Sequence, residues 1–325
     1  MSAAGAPRVV VLAYSEVGHA ALSTLLEMGA DVGLVVTHAD SPGETLWFQS
    51  VRERAAAAGV PVILPADVNA DDAVARIRAA RPDLLFSFYF RQMLSPRVLG
   101  LAPRGALNLH GSLLPRYRGR SPVNWALLQG ETETGVSLHY MDEKPDHGDL
   151  VAQRTVAIER ADSALTLTRK LARAGSELLR EVVPALFAGT APRRAQDHAR
   201  ASYFGGRRPE DGEIDWTDPA ERIRNLVRAV TDPWPGAFAH FRGEPLMIWW
   251  VESGAPPPRL GAGEVVLDAA GAPWVGTGDG ALRLTRVSRP GATATSGEAW
   301  ARAEQVATGE RFQCILRATV GGTSA

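Results

Sequence analysis

The order of elements in the first 110 residues constrains the fold most. Residues 8–13 (R-V-V-V-L-A) form a short unbroken apolar run, the pattern of a strand buried on both faces of a parallel sheet. Similar runs occur at residues 31–37, 60–64, 83–86 and 107–109, and helix-forming stretches at 18–28, 46–58 and 71–80 lie between them, with a helical turn from Ser95. Strands alternating with helices predict a Rossmann-like, doubly wound, mostly parallel α/β sheet. Such a sheet gathers its ligands at the carboxyl ends of its strands.

Further along, the pattern predicts a short helix at 125–128, strands at 136–140 and 150–158, and a long amphipathic helix at 163–187. Residues 189–208 mix Pro, Gly and Arg without apolar periodicity, which marks a linker between a catalytic domain (1–200) and a second domain (201–325). In the second domain a helix at 223–230 is stopped by D-P-W-P-G. Short β-like runs at 246–251, 263–266 and 282–286, separated by Gly/Pro turns, predict a small β-barrel-like unit. Trp216, Trp234, Trp249 and Trp250 are expected in its core.

Several function classes are disfavoured. Lys plus Arg number 35 against 36 Asp plus Glu, so the chain lacks the positive charge that holds a polyanion by counterion release, and a nucleic-acid partner is not expected. The first βα turn, A-Y-S-E-V-G-H, has no G-x-G-x-x-G, so close approach to a dinucleotide pyrophosphate, and with it NAD, is unsupported. The single cysteine, Cys314, offers no disulfide or metal cluster and is expected as a small buried apolar residue. No basic segment leads into an apolar run of secretory length, and no run approaches a membrane span. These features suit a cytoplasmic protein with no metal and no membrane partner.

Two stretches stand apart, N-L-H-G-S-L-L-P-R-Y-R-G at residues 108–119 and the acidic D-E-K-P-D-H-G-D at 142–149. The pattern N-x-H-x-S-L-L-P-x-x-x-G with a downstream Asp resembles the signature of the folate-dependent formyltransferases. Further stretches carry the resemblance across nearly the whole chain: T-H-x-D-x-P-G-E (37–44), F-S-F-Y-x-R (86–91), G-E-T-E-T-G-V (130–136) and N-L-V-R-A-V-T-D-P-W-P-G-A-F (225–238). Within the family they are most similar to the formyltransferase half of ArnA, which acts on UDP-4-amino-4-deoxy-L-arabinose in lipid A modification. The chain departs from that pattern at Gln92, where ArnA-type sequences have His, and at residues 143–146, E-K-P-D in place of K-R-A-D.

The resemblance implies a small, open, OB-like C-terminal barrel and 10-formyltetrahydrofolate as formyl donor. It also implies catalytic roles for Asn108, His110 and Asp146, and the residue chemistry agrees. Imidazole titrates near neutrality and can move the amine's proton; Asn108, two residues earlier on the same strand face, can offer an amide N–H to an oxyanion; Asp146 can accept from the imidazolium. By positional match the folate pocket would involve Gln92, Met93, Leu94 and Arg120 together with Asp142, Glu143, Lys144, Pro145 and Asp146. On the acceptor side stand Tyr89 and Arg91, since a guanidinium at a strand end can grip a diphosphate, although half of the 88–90 aromatic run should be core. The other histidines, including His19, His38, His139, His147 and His240, are assigned to structure or surface, His147 being set apart by its neighbour Asp146.

The leading expectation is formylation of a nucleotide-linked 4-amino sugar, with UDP-4-amino-4-deoxy-L-arabinose as its specific form. Methionyl-tRNA formylation, another amino sugar or small amine, a formyltetrahydrofolate hydrolase and a non-catalytic folate-binding protein are the alternatives. A homodimer through the second domain is compatible with the chain.

Overall fold

A computed structural model of the protein describes residues 6–40, 46–254 and 260–313. Cys314 and residues 41–44 of the T-H-x-D-x-P-G-E stretch lie outside the described residues. The chain divides into two compact units, residues 1–126 with 131–206, and residues 127–130 with 207–325.

In order along the first unit come β1 (Arg8–Ala13), α1 (Ser15–Glu27), β2 (Asp31–Val36), α2 (Val51–Ala57), β3 (Val62–Ile63), α3 (Asp71–Ala79), β4 (Leu84–Phe88), α4 (Pro96–Leu99) and β5 (Ala106–His110). Then follow β6 (Arg118–Gly119), α5 (Pro122–Leu128), β7 (Glu133–Tyr140), β8 (Leu150–Ala157), α6 (Ala164–Ala188) and β9 (Tyr203–Phe204). Seven of these strands form one sheet in the order β3-β2-β1-β4-β5-β7-β8. The first five are parallel, whereas β7 runs antiparallel to β5 and β8 antiparallel to β7. The expected doubly wound, parallel-dominated α/β sheet is thus present, with an antiparallel edge.

Alternation along the strands explains the layering. Val10, Leu12, Leu85 and Ala106 join Val74 and Ile77 of α3 and Val98 of α4 in one buried cluster. On β5 the intervening Leu109 meets Gly175 of α6, where an added Cβ would lie 2.8 Å from the leucine Cδ2, and α1 packs against α6. Residues 9–13 of β1 are fully buried, and each buried Val or Leu contributes about 1.5–3 kcal/mol relative to exposure. Asn108 and His110 share the face of Ala106 but lie further along β5, at its carboxyl end.

Two local expectations change. The helix read at 46–58 begins only at Val51, because Trp47 and Phe48 are engaged edge-on with each other and Phe48 with Tyr14, while the Ser50 hydroxyl accepts the Glu53 N–H at 3.2 Å and caps the helix. The segment read as a linker is built into the first unit as far as residue 206. There Arg194 exchanges backbone hydrogen bonds with Leu150, Gln196 is buried, and β9 pairs in parallel with β6. Arginine and proline composition hid these backbone pairings.

The second unit holds α7 (Ala220–Val230), β10 (Ala237–Phe241), β11 (Glu244–Glu252), β12 (Val265–Leu267), β13 (Pro273–Gly276), β14 (Ala281–Ser288), β15 (Thr295–Ser296) and α8 (Gly297–Ala303). The strands make an antiparallel half-barrel in the order β10-β11-β14-β13-β12, with β15 on β14. Phe312 bridges to Phe241 and Arg311 to Glu264, so one short segment touches both edges of the sheet. Its core differs from expectation. Trp216 is fully buried, but Trp234, Trp249 and Trp250 are only partly so. Register shifts on either side of Trp250 break the alternation that buries Leu246 and Ile248, and Trp300, Phe241 and Phe312 fill the space beside Trp216 instead.

One close approach links the ends of β4 and β5. Tyr89 turns off β4 with φ of 56°, and its hydroxyl lies over Gly111, where an added Cβ would be 2.0 Å from the oxygen. We expect Gly111→Ala to destabilise the protein by about 1–3 kcal/mol by overpacking. In the background of Tyr89→Phe, which removes the crowded oxygen, part of that loss should return. A double-mutant cycle of denaturant unfolding checks this, and strict additivity would show that the two residues do not meet.

Candidate active site

The carboxyl end of β5 presents Asn108 and His110, β7 brings His139 alongside Asn108 in register, and the loop between β7 and β8 returns Asp146 to them. The Asn108 amide Nδ2 lies 3.1 Å from His139 Nε2 and donates to Asp146 Oδ1 at 3.3 Å. His110 Nδ1 and His139 Nε2 each lie 3.4 Å from the same oxygen. The second carboxylate oxygen accepts the Gly119 N–H at 2.8 Å. One carboxylate therefore has four neighbours from three separate segments.

Tautomers follow from the partners. A carbonyl can only accept, so His110 Nε2 donates to the Tyr117 carbonyl at 2.7 Å, which leaves Nδ1 as the nitrogen facing Asp146. His139 Nδ1 likewise donates to the Tyr140 carbonyl at 2.7 Å, and its Nε2 faces both the Asn108 amide and Asp146. The Asn108 amide is thereby directed within the cluster, and its N–H to Asp146, at 3.3 Å, is the one available for exchange.

Burial alone would push the Asp146 carboxyl up. The charge of His110, the hydrogen bond and charge of His139 and the Gly119 N–H outweigh it and hold this carboxyl well below the usual carboxylate range. Among the described residues no group of three or more His, Cys, Asp or Glu side chains is arranged to hold a metal ion.

The loop bearing Asp146 is clamped from below. Asp146 has φ of 52°, a conformation that needs support in a non-glycine residue. The Gln196 side-chain amide donates to the carbonyls of Asp146 (2.9 Å) and Gly148 (2.6 Å), and Gly148 lies so close to the Tyr140 carbonyl that a Cβ would sit 2.0 Å from it. Gln196 in turn accepts from Arg118 at 2.6 Å. Arg118 is 1% exposed, and its other partners are His198 Nδ1 at 2.9 Å and the Tyr203 hydroxyl at 2.6 Å. Among the described residues no carboxylate pairs with it. Arg118 thus sits on β6 between Tyr117, whose carbonyl orients His110, and Gly119, whose N–H holds Asp146.

Residues 8–183 match the model of the family described as Formyl transferase, and residues 207–305 match that of its C-terminal domain. The chain belongs to the formyl transferase family. Solved structures of the same fold include WlaRD, a sugar 3N-formyl transferase crystallised with dTDP and 5-N-formyl-THF. It is 17% identical, with a TM-score of 0.67 over 89% of this chain and 100% of its own. The N-formyltransferase from Helicobacter canadensis, solved with folinic acid and dTDP-3-aminofucose, is 18% identical, with a TM-score of 0.67 over 85% of this chain and 98% of its own. HypX from Aquifex aeolicus, solved with tetrahydrofolic acid, is 18% identical, with a TM-score of 0.65 over 94% of this chain but 49% of its own. The chain thus spans about half the length of HypX. At these identities the likeness is one of fold.

The structure brings Asn108, His110 and Asp146 of the family motif into one cluster. Leu94 is buried in the core beside the sheet, and Met141, next to Asp142, packs against that same core. Met93 is 53% exposed. The Gln92 amide is committed to the backbone of Ala66 and Val68. Asp142 accepts from the Lys144 N–H and contacts His147 Nδ1 at 2.8 Å, while Glu143, Lys144 and Pro145 are exposed. Arg120 is also exposed, its backbone N–H on Phe204 of β9.

On the other side, the Tyr89 hydroxyl is buried without a hydrogen-bond partner. Arg91 lies over the Tyr14 ring at 4.4 Å, and its N–H donates to His38 Nε2. His139 is the clear correction among the histidines. It is neither surface nor isolated, and its place opposite Asn108 depends on the β5–β7 register, which local sequence does not show. Gln196 and Arg118 were invisible for the same reason, their partners being tens of residues away.

Because its carboxyl is held low, Asp146 stabilises the fold above the ordinary carboxylate pKa, and that contribution drains away as pH falls through the depressed folded value. Asp146→Asn should cost about 1.5–3 kcal/mol at neutral pH. Denaturant titrations should show the gap to wild type closing in acid, and a gap unchanged with pH would contradict a charge-based role. Gln196→Ala, which leaves two buried carbonyls and Arg118 short of a partner, should cost about 1–3 kcal/mol by the same measurement, whereas a neutral result would show that the loop holds itself.

Proposed function

We propose that the protein is an N-formyltransferase that moves the formyl group of 10-formyltetrahydrofolate to the amine of a nucleotide-linked 4-amino sugar. The convergence of Asn108, His110 and Asp146 at the end of β5, within a chain of the formyl transferase family, carries this reading. The fold shared with WlaRD and the Helicobacter canadensis enzyme, whose crystals hold folates with dTDP or a dTDP-amino sugar, supports a sugar acceptor. Among such acceptors the flanking stretches favour UDP-4-amino-4-deoxy-L-arabinose.

Donor and acceptor divide the site between them. Segments 92–94 and 142–146, with exposed Met93 above buried Leu94, supply an apolar surface and a row of backbone groups to the folate side. The amine nitrogen attacks the formyl carbon, the carbonyl π pair moves onto oxygen, and the nitrogen becomes positive. Ionised Asp146 stabilises that positive charge. The ammonium proton passes through His110 to the folate nitrogen, whose bond to the formyl carbon breaks as the carbonyl re-forms, leaving a formamide and tetrahydrofolate. Asn108 can turn one N–H from Asp146 to the oxyanion, and a donor so placed contributes about 3 kcal/mol. His139 and the Tyr117 carbonyl hold Asn108 and His110 in position for the exchange.

Release of tetrahydrofolate, followed with no acceptor, UDP-4-amino-4-deoxy-L-arabinose, a dTDP-4-amino sugar and methionyl-tRNA, tests the reading. Turnover is expected with the UDP-sugar, and His110→Ala should lower it by about 10²–10⁴-fold while tetrahydrofolate still binds. Turnover with water alone would replace transfer by hydrolysis. Turnover confined to methionyl-tRNA would overturn the sugar acceptor, and full activity of the variant would remove His110 from the mechanism.

A further inference from the structure

His139 lies on β7 opposite Asn108 of β5, and it is buried. Two features of its own strand aim the ring. The pairing of β7 with β8 skips one residue between Leu138, opposite Ala152, and His139, opposite Leu150, and an irregularity of this kind re-aims a side chain. His139 Nδ1 also donates to the carbonyl of the next residue, Tyr140, at 2.7 Å, which ties the ring to the backbone. Nε2 is thereby set 3.1 Å from Asn108 Nδ2 and 3.4 Å from Asp146 Oδ1.

An asparagine amide has nearly the same shape either way round, so its hydrogen-bond partners decide whether an N–H or the carbonyl oxygen points at the reaction. Among the described residues the Asn108 amide nitrogen has two side-chain partners, His139 and Asp146. The contact with Asp146, at 3.3 Å, is the one given up when Asn108 turns an N–H to the oxyanion. Once it is given up, His139 is what holds the amide. A neutral ring with its proton on Nδ1 keeps a lone pair on Nε2 that accepts the second N–H. A ring carrying both protons would donate to Asp146 instead and meet the amide N–H with an N–H of its own. Without an acceptor at that place the amide can turn its oxygen toward the tetrahedral intermediate, where two negative oxygens would face each other in place of a donor and an oxyanion.

We infer that His139 is a positioning residue for formyl transfer: its Nε2 lone pair keeps hold of Asn108 in the transition state, so that an N–H rather than the amide oxygen meets the oxyanion. The inference rests on the formyl-transfer reading above and is independent of which amine accepts the group. Two variants separate this role from packing. Glutamine in place of His139 carries its amide oxygen near the position of Nε2, and asparagine carries its amide near that of Nδ1. His139→Gln therefore keeps an acceptor for Asn108, whereas His139→Asn keeps only a donor for the Tyr140 carbonyl. Tetrahydrofolate release is followed for each variant with the acceptor that wild type turns over, and isothermal titration of tetrahydrofolate reports on the fold. His139→Asn should lower kcat about 10–100-fold, a part of the about 10²–10³-fold that one oxyanion donor contributes, with the KM for 10-formyltetrahydrofolate and tetrahydrofolate binding unchanged. His139→Gln should recover most of that loss. In the background of Asn108→Ala, which already lacks the donor, His139→Asn should cost little more. Equal kcat for wild type and His139→Asn, equal losses in both variants, losses that multiply in the Asn108→Ala background, or loss of tetrahydrofolate binding in either variant would overturn the assignment and leave the formyl-transfer reading standing. Wild type that binds tetrahydrofolate but turns over no acceptor, water included, would sink that reading and the assignment with it.

Discussion

A single carboxylate sets the terms for the rest of the first unit. Asp146 is nearly closed off from water, and an ion in that position is tolerated only when donors offset its lost hydration. The fold supplies them from places far apart in sequence: the Gly119 N–H, the Asn108 amide and the rings of His110 and His139. Each donor needs its own support. The carbonyls of Tyr117 and Tyr140 set the two ring orientations, so the antiparallel β5–β7 register and the loop after β5 become conditions for keeping one charge ionised.

The same demand explains why a segment with linker-like composition is folded into the sheet domain. A left-handed residue in a loop of exposed Glu143, Lys144 and Pro145 would be free to move. Gln196 grips the backbone on both sides of His147, and Arg118 grips Gln196. Arg118 is an expensive way to do this, since a buried guanidinium whose acceptors among the described residues are neutral recovers part of its hydration and no more. In return it ties β6, which carries both the Tyr117 carbonyl and the Gly119 N–H, to the strand and loop that follow α6.

Division of labour along the strand ends follows from topology. Parallel strands with both faces covered leave only their ends open, and this sheet opens different ends to different chemistry. β5 and the β7–β8 loop hold the proposed proton-handling groups and folate surface. β1 to β3 open onto a pocket lined by Tyr14, Phe48 and Leu64 among others, apart from those groups.

Local pattern carried the parallel sheet, because strands buried on both faces must be apolar throughout, and residues 8–13 and 31–36 could be little else. It also carried the Asn108–His110 pair, since i and i+2 on a strand share a face, and Asp146 through resemblance to the formyltransferase motif. It did not carry the β-rich second unit in full, where β10 and β13 are short and the register shifts around Trp250 turn that side chain and Trp249 away from the core. What the sequence by itself determined is the layered fold and which polar side chains stand at the end of β5, both matters of local polarity and spacing. Only the tertiary structure decided that His139 faces Asn108 and that Gln196 and Arg118 hold the Asp146 loop. Those facts depend on register and on contacts across tens of residues, and no local period encodes them.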